Sequence, residues 1–352
     1  MKTIAFISTL LLALSSFAAT SLNTFFSNRA PIYLTIQAEF SKAFDEAFAG
    51  MPDGIIPPQR VQDPFNGLLS VDNNPTLQKL NITLKVRGNS SLQECSFPKL
   101  GFKLPTRSEY FGGLKNIKIG THCSTDTTAG TIGRLRNEES AVREEVVYQL
   151  ALALGIVVQK TRPAVIQYIE TGATPSFLSP LTKKAFLLED LDDVASELGG
   201  SAIKDTNSIM KDYAKLIDRS VLIRIHLLHT LTGNWDWSVL PNDHQLSFWN
   251  TDIISLANGQ LLPVPKDFDL ATFVTAKVPA GVNAKVEFEK AMTQNFIKNT
   301  SSFSKEELAP IIKEFISKKL SLYNVVKQST VDKAGMTNAL IHLDTFYKII
   351  SK

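Results

Sequence analysis

Two short stretches in the second half of the chain carry aspartates directly after apolar segments. Residues 233–238 read Gly-Asn-Trp-Asp-Trp-Ser around Asp236, and residues 263–269 read Pro-Val-Pro-Lys-Asp-Phe-Asp, with aspartates at 267 and 269. A buried carboxylate needs a partner or a metal, because an unpaired charge in apolar surroundings is strongly unfavourable. Asp267 and Asp269 share one face of an extended segment, so they could hold one divalent cation through oxygen. A turn cap at Asp236 and ion pairs at the other two are the alternative.

Other residues capable of chemistry form weaker patterns. His226 and His229 lie three apart on one side of a predicted helix, but no third metal ligand follows, which favours ordinary core or surface histidines. Trp235 and Trp237 flank Asp236 and could stack on a ligand, although the burial tendency of Trp favours packing under the loop. The chain has no Gly-x-Ser-x-Gly, His-Glu-x-x-His or Walker motif. Hydrolase functions therefore have little support.

Composition and charge exclude some classes of partner. The chain has 352 residues and 44% of them are hydrophobic, which indicates a folded protein. The formal net charge is only +3 and no block of like charge stands out. A nucleic-acid partner is not predicted, because such partners need a concentrated basic stripe.

The N-terminal residues predict a secreted protein. A basic start at Lys2 precedes an apolar run from Ile4 to Leu14, which is followed by Ser15-Ser16-Phe17-Ala18-Ala19. These are the three regions of a signal peptide, with cleavage expected after Ala18. An N-terminal anchor is the alternative, but the run is short for a membrane span. We expect a signal peptide at 1–18 and no membrane span after it.

Secretion would favour a disulfide between the two cysteines and would allow glycans on asparagine side chains. Cys95 and Cys123 are the only cysteines, and an even number tends to pair in an oxidising compartment, so we predict a disulfide between them. Two buried free thiols are the alternative. Glycosylation triplets begin at Asn81, Asn89 and Asn299 and could carry glycans in a eukaryotic host.

Periodicity divides the chain into a β-rich half and a helical half. Residues 80–87 alternate apolar and polar, as a half-buried strand does. Further strands are predicted at 99–104, 115–120, 163–169 and 184–189, and residues 20–80 are otherwise predicted to be loops with one early strand near 32–36. One prominent helix follows the strand at 115–120, because Val142, Val146, Leu150 and Leu154 recur every four residues before Gly155.

The second half is predicted to be mostly helical. An apolar face runs through 210–232, where charged residues that include Lys215, Asp218, Arg219 and Arg224 exclude a membrane span. A capping box from Ser304 to Glu307 starts another helix, and a final amphipathic helix follows Asp332.

Six motifs follow one another along about residues 85–275. They are Arg87-Gly88-Asn89-Ser90, Cys95-Ser96-Phe97-Pro98, Thr121-His122-Cys123, the helix around Glu144, residues 234–238 and Asp267-Phe268-Asp269. Their order resembles the CotH family of spore-coat kinases, and in particular a secreted branch of it.

This resemblance implies an α+β, two-lobed, atypical protein-kinase-like fold. After the signal peptide, residues 19–352 would form one domain, with a β-rich N-lobe at 19–190 that has an irregular N-terminal extension and contains one key helix, and a mostly helical C-lobe at 191–352. ATP and Mg²⁺ or Mn²⁺ would be the cofactors.

The resemblance implies a role for each of these residues from its position in the motifs. Asp236 would accept the proton of the substrate hydroxyl, and Asp267, with Asp269 beside it, would hold the metal. Phosphoryl transfer depends on this division between positioning and charge neutralisation. Lys103 on the strand at 101–104 would contact the phosphates and Glu144 would orient it, although both residue types are also common on surfaces.

Two departures from the family pattern stand out. The residue that follows the catalytic aspartate as second metal ligand could be Asn242, Asp243 or Gln245. The Gly-rich phosphate loop is missing, and the turn from Arg87 to Asn89 could do part of its work. A glycan on Asn89 would conflict with that role.

The resemblance implies a secreted kinase that phosphorylates Ser or Thr on a coat, wall or secreted protein. A pseudokinase on the same scaffold is the alternative favoured by the altered segment from Asn242 to Gln245. A structural or carbohydrate-binding extracellular protein is the third reading, and nothing in the chain selects a sugar.

Overall fold

The computed structural model describes residues 24–48, 63–88, 95, 97–120, 139–175, 177, 179–205, 213–239, 248–275 and 282–352. Contacts between residues group the chain into two compact units. The first combines residues 1–125 with 161–193, and the second combines 126–160 with 194–352.

The first unit is a closed seven-stranded barrel with the strand order β1-β2-β3-β4-β5-β7-β6. A parallel pair, β1 with β6, closes it, and its other pairs are antiparallel. Closure leaves no open sheet edge, and inward residues alternate with outward ones along each strand. The strands are β1 Ile32–Ala38, β2 Phe65–Val71, β3 Leu80–Arg87, β4 Lys99–Ser108, β5 Leu114–Gly120, β6 Thr161–Glu170 and β7 Leu181–Leu188.

Aromatic rings fill one part of the barrel core. Phe40 begins helix α1 (Phe40–Phe48) and contacts Phe97 and Tyr168, whose own ring centroids lie 4.6 Å apart. All three side chains are fully buried. Phe97 of the Cys-Ser-Phe-Pro motif therefore serves the core, where aromatic side chains contribute large buried areas.

The second unit combines helices with a three-stranded antiparallel sheet in the order β10-β9-β8. Its strands are β8 Gly200–Ile203, β9 Thr251–Leu256 and β10 Leu261–Pro265. The helices that follow α1 in the chain are α2 Ser140–Ala153, α3 Leu191–Glu197, α4 Arg219–Thr232, α5 Thr272–Thr275, α6 Val282–Thr300, α7 Lys305–Ser317, α8 Lys319–Gln328 and α9 Lys333–Ile350. Helix α3 spans the boundary between the units.

Side-chain caps fix several helix ends in this unit. Asp218 accepts hydrogen bonds from the first backbone amides of α4, and Gly233 ends that helix with a φ of 61°. Ser304 and Glu307 form the predicted capping box of α7, and Asp332 caps α9. Such caps satisfy amides that have no partner within the helix.

The mixed α/β architecture, β-rich first and helical afterwards, agrees with the sequence. Strands lie at or near each predicted position, and helices α2, α7 and α9 are present. Where loops were expected before residue 80, the chain also forms α1 and β2. Strands β8 to β10 interrupt the half that was predicted to be helical.

The helix predicted over 210–232 is shorter. A 3-10 turn at Tyr213–Leu216 precedes it, and the Asp218 cap separates that turn from α4. Residues 206–212 lie outside the described part of the chain.

Helix α2 belongs to a different part of the molecule from the one predicted. The predicted boundary near residue 190 assigned it to the β-rich half, whereas contacts group it with the second unit. The physical reason is its packing, because α2 lies against α5 and α8 of that unit. In the described ranges, no helix has the length and apolarity needed to cross a membrane.

We expect Gly120→Ala to destabilise the barrel. An added Cβ would lie 2.1 Å from the ring of Phe186, which stands opposite Gly120 on the neighbouring strand. Overpacking of this kind lowers the free energy of unfolding by about 1–3 kcal/mol, which urea denaturation can measure. The control is exposed Asn116→Ala on the same strand, expected within about 0.5 kcal/mol of wild type. Equal effects of both changes would contradict the packing.

Candidate functional site

Asp236 lies in the loop that leaves the C-terminal end of α4. The preceding Asn234 is buried, and its amide oxygen accepts a hydrogen bond from the Asp236 backbone N–H at 3.1 Å. Its amide nitrogen lies 3.2 Å from Nδ1 of His229 in α4. Because the Asn234 amide nitrogen donates, His229 Nδ1 accepts and its proton lies on Nε2. The start of the loop is therefore tied to the last turn of the helix.

The Asp236 carboxylate is held by two neutral donors from a distant part of the chain. Trp249 Nε1 donates to Oδ1 at 2.8 Å, and Asn250 Nδ2 donates to Oδ2 at 3.0 Å. The same Asn250 nitrogen lies 2.8 Å from the Asp236 carbonyl oxygen. These bonds restrict rotation of the carboxylate, which is half-buried.

Both donors belong to residues 248–250, which we call the 248–250 turn. Its backbone pairs with the Asp236 loop: Ser238 N–H donates to the Trp249 carbonyl at 2.9 Å, and Phe248 N–H donates to the Val239 carbonyl at 3.3 Å. Phe248 and Asn250 have φ values of 59° and 48°. A left-handed backbone is uncommon outside glycine and persists only where the surroundings enforce it.

Asp267 follows β10 and is held by α2. Its backbone φ is 57°, and its N–H donates to the Tyr148 hydroxyl at 3.2 Å. The next amide, of Phe268, donates to Glu144 Oε1 at 3.3 Å. The Phe268 side chain is fully buried and meets the Tyr148 ring edge-on, with centroids 5.1 Å apart. Two side chains one turn apart on α2 thus fix consecutive amides of the Asp-Phe-Asp motif.

The 248–250 turn also connects the two aspartate segments. The backbone N–H of Lys266 donates to the Asn250 carbonyl at 3.1 Å, which places Asn250 beside the residue that precedes Asp267. Lys266 itself forms an ion pair with Asp252 at the start of β9. One short turn therefore contacts both segments that the sequence singled out.

The two histidines of α4 pack beneath the Asp236 loop. His229 stacks on Trp237 at 3.9 Å with an angle of 11° between planes, and His226 meets the same indole edge-on at 4.7 Å. Burial lowers the pKa of His226 to about 4 and the pKa of His229 well below its usual range. Both are neutral near pH 7, as expected for core histidines. Trp237 is buried as packing predicts, whereas Trp235 is 59% exposed, so that prediction is wrong for Trp235.

Not all of the predicted site residues lie on one unit. Asp236, Asp267, Asp269 and Glu144 belong to the second unit, and Asp269 is half-buried. Glu144 accepts a hydrogen bond from the Phe268 amide. Lys103 is exposed on β4 of the first unit. Asn242, Asp243 and Gln245 lie outside the described residues.

Arg87 and Lys103 belong to a cationic face on the barrel. Residues paired across antiparallel strands, and residues two apart along one strand, share a face. Gly101 lies between Lys85 and Lys118 in the register, and an added Cβ on it would lie 3.0 Å from Cδ of Arg87. The Arg87 side chain therefore crosses the sheet above Gly101. The basic residues of this face are Lys85, Arg87, Lys99, Lys103 and Lys118.

Sequence reasoning missed the residues that hold the two aspartates. Trp249, Asn250 and Tyr148 match no short motif, because they act from other elements and become neighbours of the aspartates only in the folded chain. Lys118 was also missed, although the alternation of its strand could have placed it on one face with Lys103.

Some of the predicted metal ligands, cysteines and glycosylation sites lie among the described residues. Among the described residues, no group of three or more His, Cys, Asp or Glu side chains is arranged to hold a metal. Cys95 is buried, and Cys123 lies outside the described residues, so their pairing stays a prediction. Asn81 is exposed on β3, whereas the Asn299 amide donates to the Thr230 hydroxyl at 2.9 Å. Asn89 lies outside the described residues.

Comparisons with known proteins add little. No family model matches the chain, and no curated protein matches it. Solved structures that match include the crystal structure of a Helicobacter pylori proinflammatory kinase, CtkA, with a TM-score of 0.39 and 9% identity. That match covers 72% of this chain and 92% of the kinase chain. A similarity of this size does not assign a function.

We expect the second unit to lose stability as the pH falls from about 6.5 to 4. Burial lowers the pKa of His226 and of His342 to about 4, so below the ordinary value of 6.5 the unfolded chain binds protons that the folded chain excludes. Each histidine then lowers the free energy of unfolding by at most about 3 kcal/mol, since one pKa unit is worth roughly 1.4 kcal/mol. Above pH 6.5 the contribution is fully present.

The measurement is the urea midpoint between pH 7.5 and 4, compared with His342→Gln. Nδ1 of His342 donates to the Leu231 carbonyl at 3.0 Å, and a glutamine amide could keep that bond without titrating. The variant should therefore show a shallower fall with pH. An identical fall in both proteins would show that protonation of His342 plays no part.

Proposed function

We propose that this chain is a secreted, kinase-like phosphotransferase that moves the γ-phosphate of ATP to a Ser or Thr hydroxyl of a coat, wall or secreted protein. The observation that carries the proposal is the 248–250 turn, which binds the Asp236 carboxylate and contacts the segment of Asp267. Phosphoryl transfer needs these two elements: a carboxylate that receives the hydroxyl proton and a second one that helps to hold charge on the phosphates.

The preorganisation of these segments supports a catalytic rather than a purely structural role. Asp267, Phe248 and Asn250 all have left-handed backbone conformations. Strained conformations of this kind cluster at functional sites, where the surrounding structure holds a group in its working position. The order of motifs that resembles the CotH kinases gives independent support from sequence.

The donor set fits a hard divalent cation. Asp267 offers a carboxylate, and Asn250 offers an amide oxygen, because its amide nitrogen already donates to Asp236. Mg²⁺ is commonly bound by one or two protein oxygens together with waters and substrate phosphates, so a cage of three acidic residues is not required. Asn250 is thus a candidate for the second ligand, for which the sequence offered Asn242, Asp243 or Gln245. When bound, such a cation would neutralise charge on the phosphate oxygens.

The cationic face of the barrel supplies candidates for binding phosphate. Arg87 was predicted for this role with Lys103, and Lys118 joins them on the same face. Arginine suits phosphate because its planar fork donates two parallel hydrogen bonds. Gly101 supports this role locally, because any larger residue would displace the Arg87 side chain.

The proposed chemistry balances without a further reactant. The bond between the γ-phosphorus and the oxygen bridging to the β-phosphate breaks, and a new bond forms between that phosphorus and the acceptor oxygen. ADP leaves, and the hydroxyl proton passes to the Asp236 carboxylate. The Trp249 and Asn250 donors keep this carboxylate in one orientation throughout.

Secretion and the disulfide form part of the same proposal. The signal-peptide pattern at residues 1–18 supports export, and an oxidising compartment favours pairing of Cys95 with Cys123. Mass spectrometry of the exported protein would test both features together.

We expect Asp236→Asn to lower transfer of labelled phosphate from ATP to casein by about 10²-fold or more, because the proton acceptor is lost. Binding of ATP with Mn²⁺ should remain. Asp267→Asn should weaken Mn²⁺ binding and transfer together. Asp344→Asn, on the surface of α9 where Asp344 accepts a hydrogen bond from Tyr323, is the control and should behave as wild type.

The outcomes separate the alternatives. Nucleotide binding without transfer by the wild type would indicate a pseudokinase. Absence of binding, together with affinity for a glycan, would favour the carbohydrate-binding reading. Full activity in Asp236→Asn would contradict the role of that residue even if the protein is a kinase.

We expect Asn250→Gly to lower the affinity for Mn²⁺ in the presence of ATP by at least about 10-fold, as changes around metal sites commonly do. Glycine accepts the left-handed backbone, so the change removes the amide group without new strain. Asn73→Gly, at a φ of 59° in the barrel unit, is the matched control. Calorimetry measures both, and equal affinities would exclude Asn250 as a ligand.

A further inference from the structure

Trp249 combines two properties that are uncommon together. Its side chain is 44% exposed, yet its indole N–H donates a hydrogen bond of 2.8 Å to Asp236 Oδ1. Burial of apolar area does not explain its position, because a large part of the ring remains in solvent. The hydrogen bond to the carboxylate accounts for the position instead.

The backbone of Trp249 is fixed independently of its side chain. Its carbonyl accepts from Ser238 N–H at 2.9 Å, and its N–H donates to the Ser238 hydroxyl at 3.3 Å. The neighbouring Phe248 is buried and anchors the turn on the other side. The indole N–H is therefore presented to Asp236 from a rigid base, although the two residues are 13 positions apart in the chain.

Asn250 does not make this contact redundant. Its amide binds the other carboxylate oxygen and the Asp236 carbonyl, so it fixes where the residue lies. A carboxylate held through one oxygen can still turn about its own axis, whereas two donors on different oxygens define its plane. Trp249 thus contributes an attachment at Oδ1, the oxygen opposite the one that Asn250 contacts.

We infer that Trp249 is a positioning residue for Asp236, holding the plane of the carboxylate that receives the acceptor proton. The inference rests on the proposed function for its effect on rate. It assigns a role to a tryptophan that no recognised motif contains. Because misplacement of a reacting group by about 1 Å can cost 10²-fold in rate, loss of one attachment should be visible in kinetics.

The test compares Trp249→Phe with Tyr33→Phe, which removes a polar donor from an exposed aromatic side chain of the barrel unit. Trp249→Phe keeps the ring but not the donor, and kcat should fall about 10-fold or more with KM for ATP unchanged. Tyr33→Phe should keep kcat within about twofold, because Tyr33 is not among the residues that hold Asp236 or Asp267. Equal thermal unfolding midpoints for Trp249→Phe and wild type would show that the lower kcat does not come from a loss of folded protein.

A nuclear magnetic resonance measurement adds a readout that does not depend on activity. The chain has three tryptophans, so three indole N–H signals are expected, and the one lost in Trp249→Phe is assigned directly. Asp236→Asn should shift that signal and speed its exchange with solvent.

The outcomes are distinct. An unshifted Trp249 signal in Asp236→Asn, or a kcat within twofold of wild type in Trp249→Phe, would overturn the inference. Absence of transfer by the wild type would instead count against the proposed function, and the resonance measurement would still decide whether Trp249 holds Asp236.

Discussion

The attachment of the Asp-Phe-Asp segment to helix α2 is the constraint on which the rest of the site depends. Glu144 accepts a hydrogen bond from the backbone amide of Phe268, and Tyr148 accepts one from the amide of Asp267. The aromatic rings of Phe268 and Tyr148 pack against each other. A carboxylate acceptor for a backbone amide makes a stronger bond than a neutral one. Asn250 joins the residue before Asp267, and Asp236 is held by Asn250 in turn. Displacement of α2 would therefore affect each of these contacts in order.

Much of the fold was predictable because its signals are local. Alternation identified the strands at 80–87 and 115–120, and a four-residue repeat identified α2. Strands β9 and β10 escaped detection because short apolar runs do not distinguish strands from helices. Helix α4 starts later than expected, since its boundary depends on the Asp218 cap.

The residues of the site show the same difference between local and long-range signals. The aspartates at 236 and 267 could be chosen from sequence, because carboxylates beside apolar runs are unusual wherever they occur. Their supports could not be chosen, since Trp249 and Tyr148 are 13 and 119 residues away from the groups they bind. Lys103 was selected for its residue type and strand, but alternation along β4 places it on the outer face with other cations. The register between strands places Lys118 on this face as well.

Closure of the barrel has a consequence for how the chain reaches its native state. Strand β1 pairs with β6, so residues 32–38 must meet 164–170, and the intervening chain includes α2, which belongs to the second unit. Contacts between residues so distant in sequence form slowly, because the chain loses much entropy before they are made. During synthesis from the N-terminus, the first five strands emerge with both barrel edges unpaired. Neither unit corresponds to one continuous piece of chain, so the two are expected to mature together rather than one after the other.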